Sequence, residues 1–444
     1  MVVVFALIAL AVLALLVLVH RWLWIRLVRD TTAPGGLPRR IGTVLIIALP
    51  LLSVAALTAG RAGAPFLLQQ AVSWPGFLWL AVLLYLTLTM LVAEPIRALS
   101  LRRLAQRPPA GKARGSAREP GHAAEPHHAV LREGVGKGTA PQSPAPAPGP
   151  DTGGTAQEPE AGTAGPGAGL LDRRRFVARA IGGAAATVAL GTVAGGAYGV
   201  LRGPSVRRVH VPLAKLPRAA HGFRIAVVSD IHLGPILGRA HTQRIVDSVN
   251  RTQPDLIAIV GDLVDGNVHD LGPAAEPLRR LSARHGSYFV TGNHEYFSGA
   301  QQWVDHVREL GLTPLENARR ALPYFDLAGV NDIAGESEGH GPDFQAALGD
   351  RDRSRASVLL AHQPVVIHDA VRHGVDLQLS GHTHGGQLWP GNYLAELANP
   401  TVAGLERYGD TQLYVSRGAG AWGPPVRVGA PSDITVVELA SPRA

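Results

Sequence analysis

Eighteen consecutive apolar residues, Val2–Val19, restrict this chain more than any other stretch of it. A run of that length matches the ~20 residues an α-helix needs to cross ~30 Å of hydrocarbon. Inside a bilayer no water satisfies the backbone, so the run must close its hydrogen bonds within itself, as a helix. It lacks a basic leader and is longer than the apolar core of a secretory signal, so it reads as a span and not as a cleaved peptide. Two further runs follow, Ile41–Ala59, interrupted by Pro50, and Phe77–Ala93, ending at Glu94-Pro95. Residues 1–104 are therefore expected to form a transmembrane region of three spans.

Loop charge orients these spans. Arg21, Arg26, Arg29, Arg39 and Arg40 separate the first two runs, Arg61 alone separates the second from the third, and Arg97, Arg102, Arg103 and Arg107 follow. Basic loops stay in the cytoplasm, which puts the N-terminus outside and the chain after Ala93 inside. Residues 105–171 are rich in Pro, Gly and Ala and are expected to be a disordered linker. A weaker Gly/Ala-rich run, Ile181–Leu201, then follows Asp172-Arg-Arg-Arg-Phe-Val-Ala178. Segment 172–203 reads as a fourth span, and Arg173-Arg174-x-Phe176-Val177 within it resembles a twin-arginine export signal. Either reading carries residues 204–444 out of the cytoplasm.

The formal charge of +8 suggests a polyanionic partner until it is divided. Residues 1–204 hold 20 Lys and Arg against 9 Asp and Glu, or +11, whereas residues 205–444 hold 22 against 25, or −3. The basicity belongs to the membrane half, and no nucleic-acid partner is expected. The absence of cysteine excludes disulfides, thiolate ligands and a thiol nucleophile.

Beyond Val206, short β-branched runs alternate with amphipathic segments, the pattern of an α/β domain whose strands are covered on both faces. Strands are expected at Arg224–Ser229, Asp255–Val260, Tyr288–Val290, Tyr324–Gly329, Ser357–Leu360, Asp376–Leu379, Gln412–Ser416 and Ile434–Leu439. Helices are expected at Arg239–Arg251, near Glu276–Ala283 and at Gln301–Leu310.

Five polar signatures stand just past such strands. They are Ser229-Asp-Ile-His232, Val260-Gly-Asp-Leu-Val-Asp265, Thr291-Gly-Asn-His-Glu295, Ala361-His-Gln-Pro364 and Ser380-Gly-His-Thr-His-Gly-Gly-Gln387. Ligands of layered α/β domains gather outside the carboxyl ends of strands. Asp230, Asp262, Asn293, His362 and His382 are thus aimed at one edge. Imidazole and carboxylate donors suit manganese, iron or zinc better than calcium.

In this order the signatures make residues 222–440 resemble the calcineurin-like metallophosphoesterases. Gly381–Gln387 and the tail Ser416–Arg427 resemble a membrane-associated bacterial branch of that superfamily. The resemblance implies a layered fold, a β-sandwich core flanked by helices, here preceded by the helical transmembrane region. It also implies two divalent metal ions. Asp230, His232 and His384 would bind one ion, Asp262 would bridge both, and Asn293, His362 and His382 would complete the second. His294 would face substrate as the catalytic residue, protonating the leaving alkoxide or stabilising the phosphoryl charge. Two cations ~3.5–4 Å apart clamp an in-line displacement and lower the pKa of a shared water.

The implied protein is a metal-dependent phosphoric ester hydrolase, multi-pass in the cell membrane with an extracytoplasmic catalytic domain. It would cleave phosphate ester or pyrophosphate bonds of a phosphorylated small molecule or a lipid-linked substrate. The alternatives are a nucleotide or nucleic-acid phosphodiesterase and a catalytically silent metal-binding sensor. Asp265 and Glu295 are expected to support ligands, and Gly261, Gly292 and Gly381 to permit tight turns. Arg417 and Arg427 are open between phosphate contact and solvated loop positions. Trp389, Tyr393 and Trp422 are open between packing and a membrane-touching rim.

Overall fold

The structure, a computed structural model, describes residues 2–106 and 168–442. The linker expected over 105–171 falls, but for its edges, outside the described residues. Four helices are long and apolar enough to cross a membrane: α1 (Val2–Leu23), α2 (Leu37–Thr58), α3 (Phe66–Gln106) and α4 (Ala168–Leu201). The second expected span is one helix, and α2 runs through Pro50. A proline removes one backbone donor, a loss that a helix packed among others tolerates. α2 and α3 approach closely at Gly76, where a Cβ would collide with the Leu52 carbonyl. There Ser53 Oγ donates to the Gly76 carbonyl at 2.7 Å.

One end of the bundle is tied by charge. Arg26 pairs with Glu94 at 2.7 Å and with Asp30 at 3.3 Å, Arg97 reaches Asp30 at 3.4 Å, and Arg179 donates to the Thr31 carbonyl at 2.8 Å. The α2–α3 turn, residues 59–65, lies at the other end, beside the C-terminal domain.

That domain holds two six-stranded sheets. The first is built from β1 (Ser205–Pro212), β2 (Phe223–Val228), β3 (Leu256–Val260), β4 (Ser287–Val290), β5 (Thr313–Pro314) and β12 (Asp433–Ala440), in the order β1-β12-β2-β3-β4-β5. The second is built from β6 (Ala318–Ala321), β7 (Phe325–Gly329), β8 (Ala356–Leu360), β9 (Leu377–Ser380), β10 (Gly404–Tyr408) and β11 (Thr411–Val415), in the order β10-β11-β9-β8-β7-β6. β2, β3 and β4 run parallel, as do β7, β8 and β9.

Side chains alternate along a strand, and here both faces are buried. Ile225 and Val227 point into the core between the sheets with Phe325, Val358 and Leu377. Ala226 and Val228 point the other way, toward Ile245 and Val249 of α5 (Arg239–Arg251). The same outer layer takes Trp303 and Val307 of α8 (Ala300–Glu309), which follows α6 (Val268–Ala275) and α7 (Asn293–Ser298). Short helices at Phe344–Leu348 and Ile367–Arg372 cover the second sheet. This double burial is why the inner strands are rich in apolar residues on both faces, β3 (Leu256–Val260) being apolar throughout. The helix expected near Glu276–Ala283 is corrected: α6 precedes it, capped by Asn267 accepting from Asp270 N, and Glu276–Arg280 forms only a 3-10 turn.

The domain rests on the bundle. Val426 packs among Tyr85, Leu86, Ala189 and Val193. Tyr85 Oη donates to the Trp389 carbonyl at 3.0 Å, and Arg427 N to the Gly196 carbonyl at 3.3 Å.

Candidate metal centre

The turns that leave β2, β3 and β4 of one sheet meet those that leave β8 and β9 of the other. Two of them are zipped together, with Asp230 N donating to the Gly261 carbonyl and His232 N to the Asp262 carbonyl, both at 3.1 Å. Asp230, His232, Asp262, His382 and His384 all have left-handed backbones, with φ of 53°, 49°, 52°, 72° and 53°. They are five of the eight non-glycine residues with positive φ among the described residues. Such conformations cost ~1–3 kcal/mol each and persist where surrounding structure over-determines them, characteristically at functional sites.

The turns bring the expected residues together. Asp230, His232 and His384 offer ligand atoms within 4.8 Å of one another, and so do Asp262, His362 and His382. A third trio, His232, Asp262 and His294, overlaps the other two. His232 Nε2 lies 3.0 Å from His384 Nε2 and 3.7 Å from Asp262 Oδ2, and His384 Nε2 lies 3.4 Å from Asp230 Oδ1. On the other side His362 Nε2 is 3.1 Å from Asp262 Oδ2, and His382 Nδ1 is 3.0 Å from Asn293 Oδ1.

A surrounding layer fixes each group. His362 Nδ1 donates to the Val260 carbonyl at 2.9 Å and His232 Nδ1 to Asp265 Oδ1 at 2.9 Å, so both rings turn an Nε2 lone pair inward. Ser229 Oγ donates to Asp230 at 2.6 Å, and His382 N donates to both its oxygens at 3.0 and 3.1 Å. Asp265 Oδ1 also holds His294 Nδ1, at 2.7 Å. Glu295 is buried and accepts from the backbone of Asp262, Leu263 and Gly292 at 3.0, 2.8 and 2.6 Å, so it ties two turns together. Burial and the charge of Asp262 raise its pKa to about 7. Gly261 is required by geometry, since its φ is +72° and a Cβ would stand 2.6 Å from His362 Nδ1.

Arg427 corrects the solvated-loop expectation held for it, since it is buried. Its buried guanidinium donates to the carbonyls of Gly420, His384 and Ala430 at 2.7, 2.9 and 3.2 Å and lies 3.0 Å from His384 Nδ1. Nothing in its Gly- and Pro-rich tail distinguishes it from a loop arginine. Arg417 reaches Asp433 at 3.8 Å. Trp422 is exposed, its ring 5.8 Å from that of His294.

The electrostatics suit cations. Burial opposes charge on His232, yet Asp265, Asp262 and Asp230 hold its pKa up at about 9. His362, likewise buried, is held well above the usual histidine range by Asp262. Burial and the charge on His362 push His382 down to about 4, while burial, His232 and Arg427 hold His384 well below its usual value. Protons alone therefore neutralise this cluster unevenly. Among the described residues His362 Nε2 is buried with no regularly aligned hydrogen bond, its one near neighbour being Asp262 Oδ2 at 3.1 Å. An all-nitrogen-and-oxygen donor set with such an orphaned atom fits two divalent ions of the manganese, iron or zinc type.

Two stacked sheets with a histidine–carboxylate centre at their strand ends define a phosphoesterase-type domain, and comparison with known proteins agrees. Residues 223–386 match the family Calcineurin-like phosphoesterase. An uncharacterized metallophosphoesterase of Aquifex aeolicus (strain VF5) is 33% identical over 239 residues, covering 53% of this chain and 91% of the relative. A Danio rerio transmembrane protein with metallophosphoesterase domain is 41% identical over 250 residues, covering 53% of this chain and 57% of the relative. A solved dimetal phosphatase from Danio rerio covers 50% of this chain and 93% of its own at 13% identity, with a TM-score of 0.34. This chain belongs to the calcineurin-like metallophosphoesterases. It spans less than two thirds of the Danio rerio transmembrane relative.

Proposed function

We propose that this protein is a membrane-anchored phosphoesterase that cleaves a phosphate ester or pyrophosphate bond of a lipid-linked substrate. Asp230, His232 and His384 would hold one divalent ion and Asn293, His362 and His382 the other, with Asp262 available to both. The observation that carries the reading is the convergence of side chains from the ends of five strands in two sheets on three trios, the middle one joined to the others through His232 and Asp262, with Asn293 beside His382.

Bound divalent ions supply an activated water and neutralise phosphoryl charge during in-line displacement. The chain's own groups do the rest. Asp265 accepts a hydrogen bond from His294 Nδ1, so His294 Nε2 faces the departing oxygen. Trp422 and Phe297 pack edge-on against His294 and restrict water around it.

An extracytoplasmic site is supported by charge. Arg26, Arg29, Arg39 and Arg97 gather at the bundle end away from the α2–α3 turn, and basic ends stay cytoplasmic. A twin-arginine route for α4 accords with that side. A nucleic-acid substrate is disfavoured, because among the described residues Arg61 is the single Lys or Arg lining the cavity over His232 and His294. The test compares one phosphodiester head group presented in solution and in a bilayer. Faster turnover of the bilayer form is expected, and equal rates contradict a lipid specialist.

A further inference from the structure

A single helix, α4, suffices to tether the catalytic domain, yet three spans precede it. Between α1, α2 and α3 lies a groove of about 620 Å³, lined by apolar side chains such as Val17, Ile47, Val54 and Leu83. Along α2 it extends from Thr43 to Leu57, about 21 Å at the helical rise. An apolar lining at this depth by itself means only contact with ordinary lipid. The outer end gives it another meaning. Leu57 lines both this groove and the cavity of about 380 Å³ over His232, Asp265 and His294, so the two spaces meet at one side chain. Phe66 and Phe77 of α3 continue the apolar wall into that cavity, and Arg61, in the turn between α2 and α3, supplies its one Lys or Arg. A hydrocarbon slot, one cation at its mouth and a phosphoesterase centre beyond it match the order of parts in a phospholipid: chain, anion, ester.

We propose that the groove between α1, α2 and α3 binds one acyl chain of the substrate, with the substrate's anion beside Arg61 and the scissile bond at His294. The proposal rests on the phosphoesterase reading above and gives the first three spans a task. The active site is then composite, half soluble domain and half membrane bundle.

The test uses the full chain in nanodiscs with two diesters sharing one leaving group, hexadecyl and ethyl p-nitrophenyl phosphate. Ile47→Trp and Val54→Trp each fill the slot from positions already exposed, without disturbing a packed core. The ratio of kcat/KM for the hexadecyl over the ethyl substrate is expected to fall about tenfold in each, the loss of roughly two methylene contacts. A ratio unchanged from wild type overturns the proposal.

A second measurement is independent of turnover. A hexadecyl phosphonate carrying a diazirine at its chain end is expected to cross-link within 13–24, 43–57 and 79–83. Cross-links confined to other peptides overturn the groove. If neither diester turns over while the cross-links fall in the groove, the phosphoesterase reading fails and the chain site stands. Normal turnover without chain preference is the reverse result.

Discussion

Asp265 Oδ1 lies 2.7 Å from His294 Nδ1, and that contact decides which ring nitrogen faces the cavity. The same oxygen holds His232 at 2.9 Å, so one carboxylate positions both a proposed proton donor and a proposed metal ligand. The two histidines should therefore fail differently. His294→Asn is expected to lower kcat by about 10²–10⁴-fold, the usual worth of a positioned acid, with both metals retained. Asp265→Asn is expected to lower kcat and also metal content. Steady-state kinetics beside elemental analysis separates them, and metal loss in His294→Asn would count against its placement on the substrate side.

Gly261→Ala tests whether the turn after β3 is sterically fixed. The new methyl would meet His362 Nδ1 at 2.6 Å and Gly292 Cα at 2.7 Å on a backbone with φ of +72°. Gly339→Ala is the control, with φ of +75° and nothing within 4 Å. Strain alone costs about 1 kcal/mol and overpacking adds about 1–3 kcal/mol. The thermal midpoint should fall clearly further in Gly261→Ala, and equal shifts would show that the turn yields.

Arg427→Met should leave the carbonyls of His384, Gly420 and Ala430 short of a donor and release the His384 ring. Metal affinity is expected to drop by about 10–100-fold, as for other groups that orient ligands. Arg427→Lys should not restore it, because an ammonium cannot reproduce the planar fork. Calorimetric titration with manganese reads this directly, and full rescue by lysine would refute the fork.

His241 in α5 is buried, and both its ring nitrogens lack hydrogen-bond partners. Burial, aided by Arg244 and Arg427, lowers its pKa from 6.5 to about 3. The folded state then refuses a proton that the unfolded chain accepts below pH 6.5. Its stability contribution is intact above that pH and is lost as pH falls toward 3, by up to about 1.4 kcal/mol per unit. The drop in thermal midpoint between pH 7 and pH 5 should shrink in His241→Phe. An unchanged drop would place the acid sensitivity elsewhere.

The sequence makes the inner strands legible because each is buried on both faces, so β3 appears as an unbroken apolar run and β2, β8 and β9 as short apolar-rich runs with one or two polar residues, all within a residue of their bounds. Edge strands leave no such trace. β10 exposes Leu405, Glu406 and Arg407, and β1 is exposed over its first half, so neither carries a periodic signal. The places of the seven residues expected as ligands are legible because each stands just past a strand, where backbone direction alone predicts convergence. Arg427 and Arg61 are not, since each owes its place to long-range packing: one is folded under His384, the other is brought to the cavity by the α2–α3 turn. The left-handed backbones at Asp230 and Asp262 are equally hidden, because loop-to-loop hydrogen bonds impose them against local preference.

The most direct test of the central claim is metal content and turnover in one preparation. Full-length protein, stripped with chelator and reloaded with manganese, iron or zinc, should bind two ions and hydrolyse bis-p-nitrophenyl phosphate. Asp262→Asn, which removes the carboxylate common to two of the three trios and proposed to serve both ions, should lose both ions and the activity together. Two ions and full turnover in Asp262→Asn, or no metal bound by the wild type, would contradict the dinuclear centre.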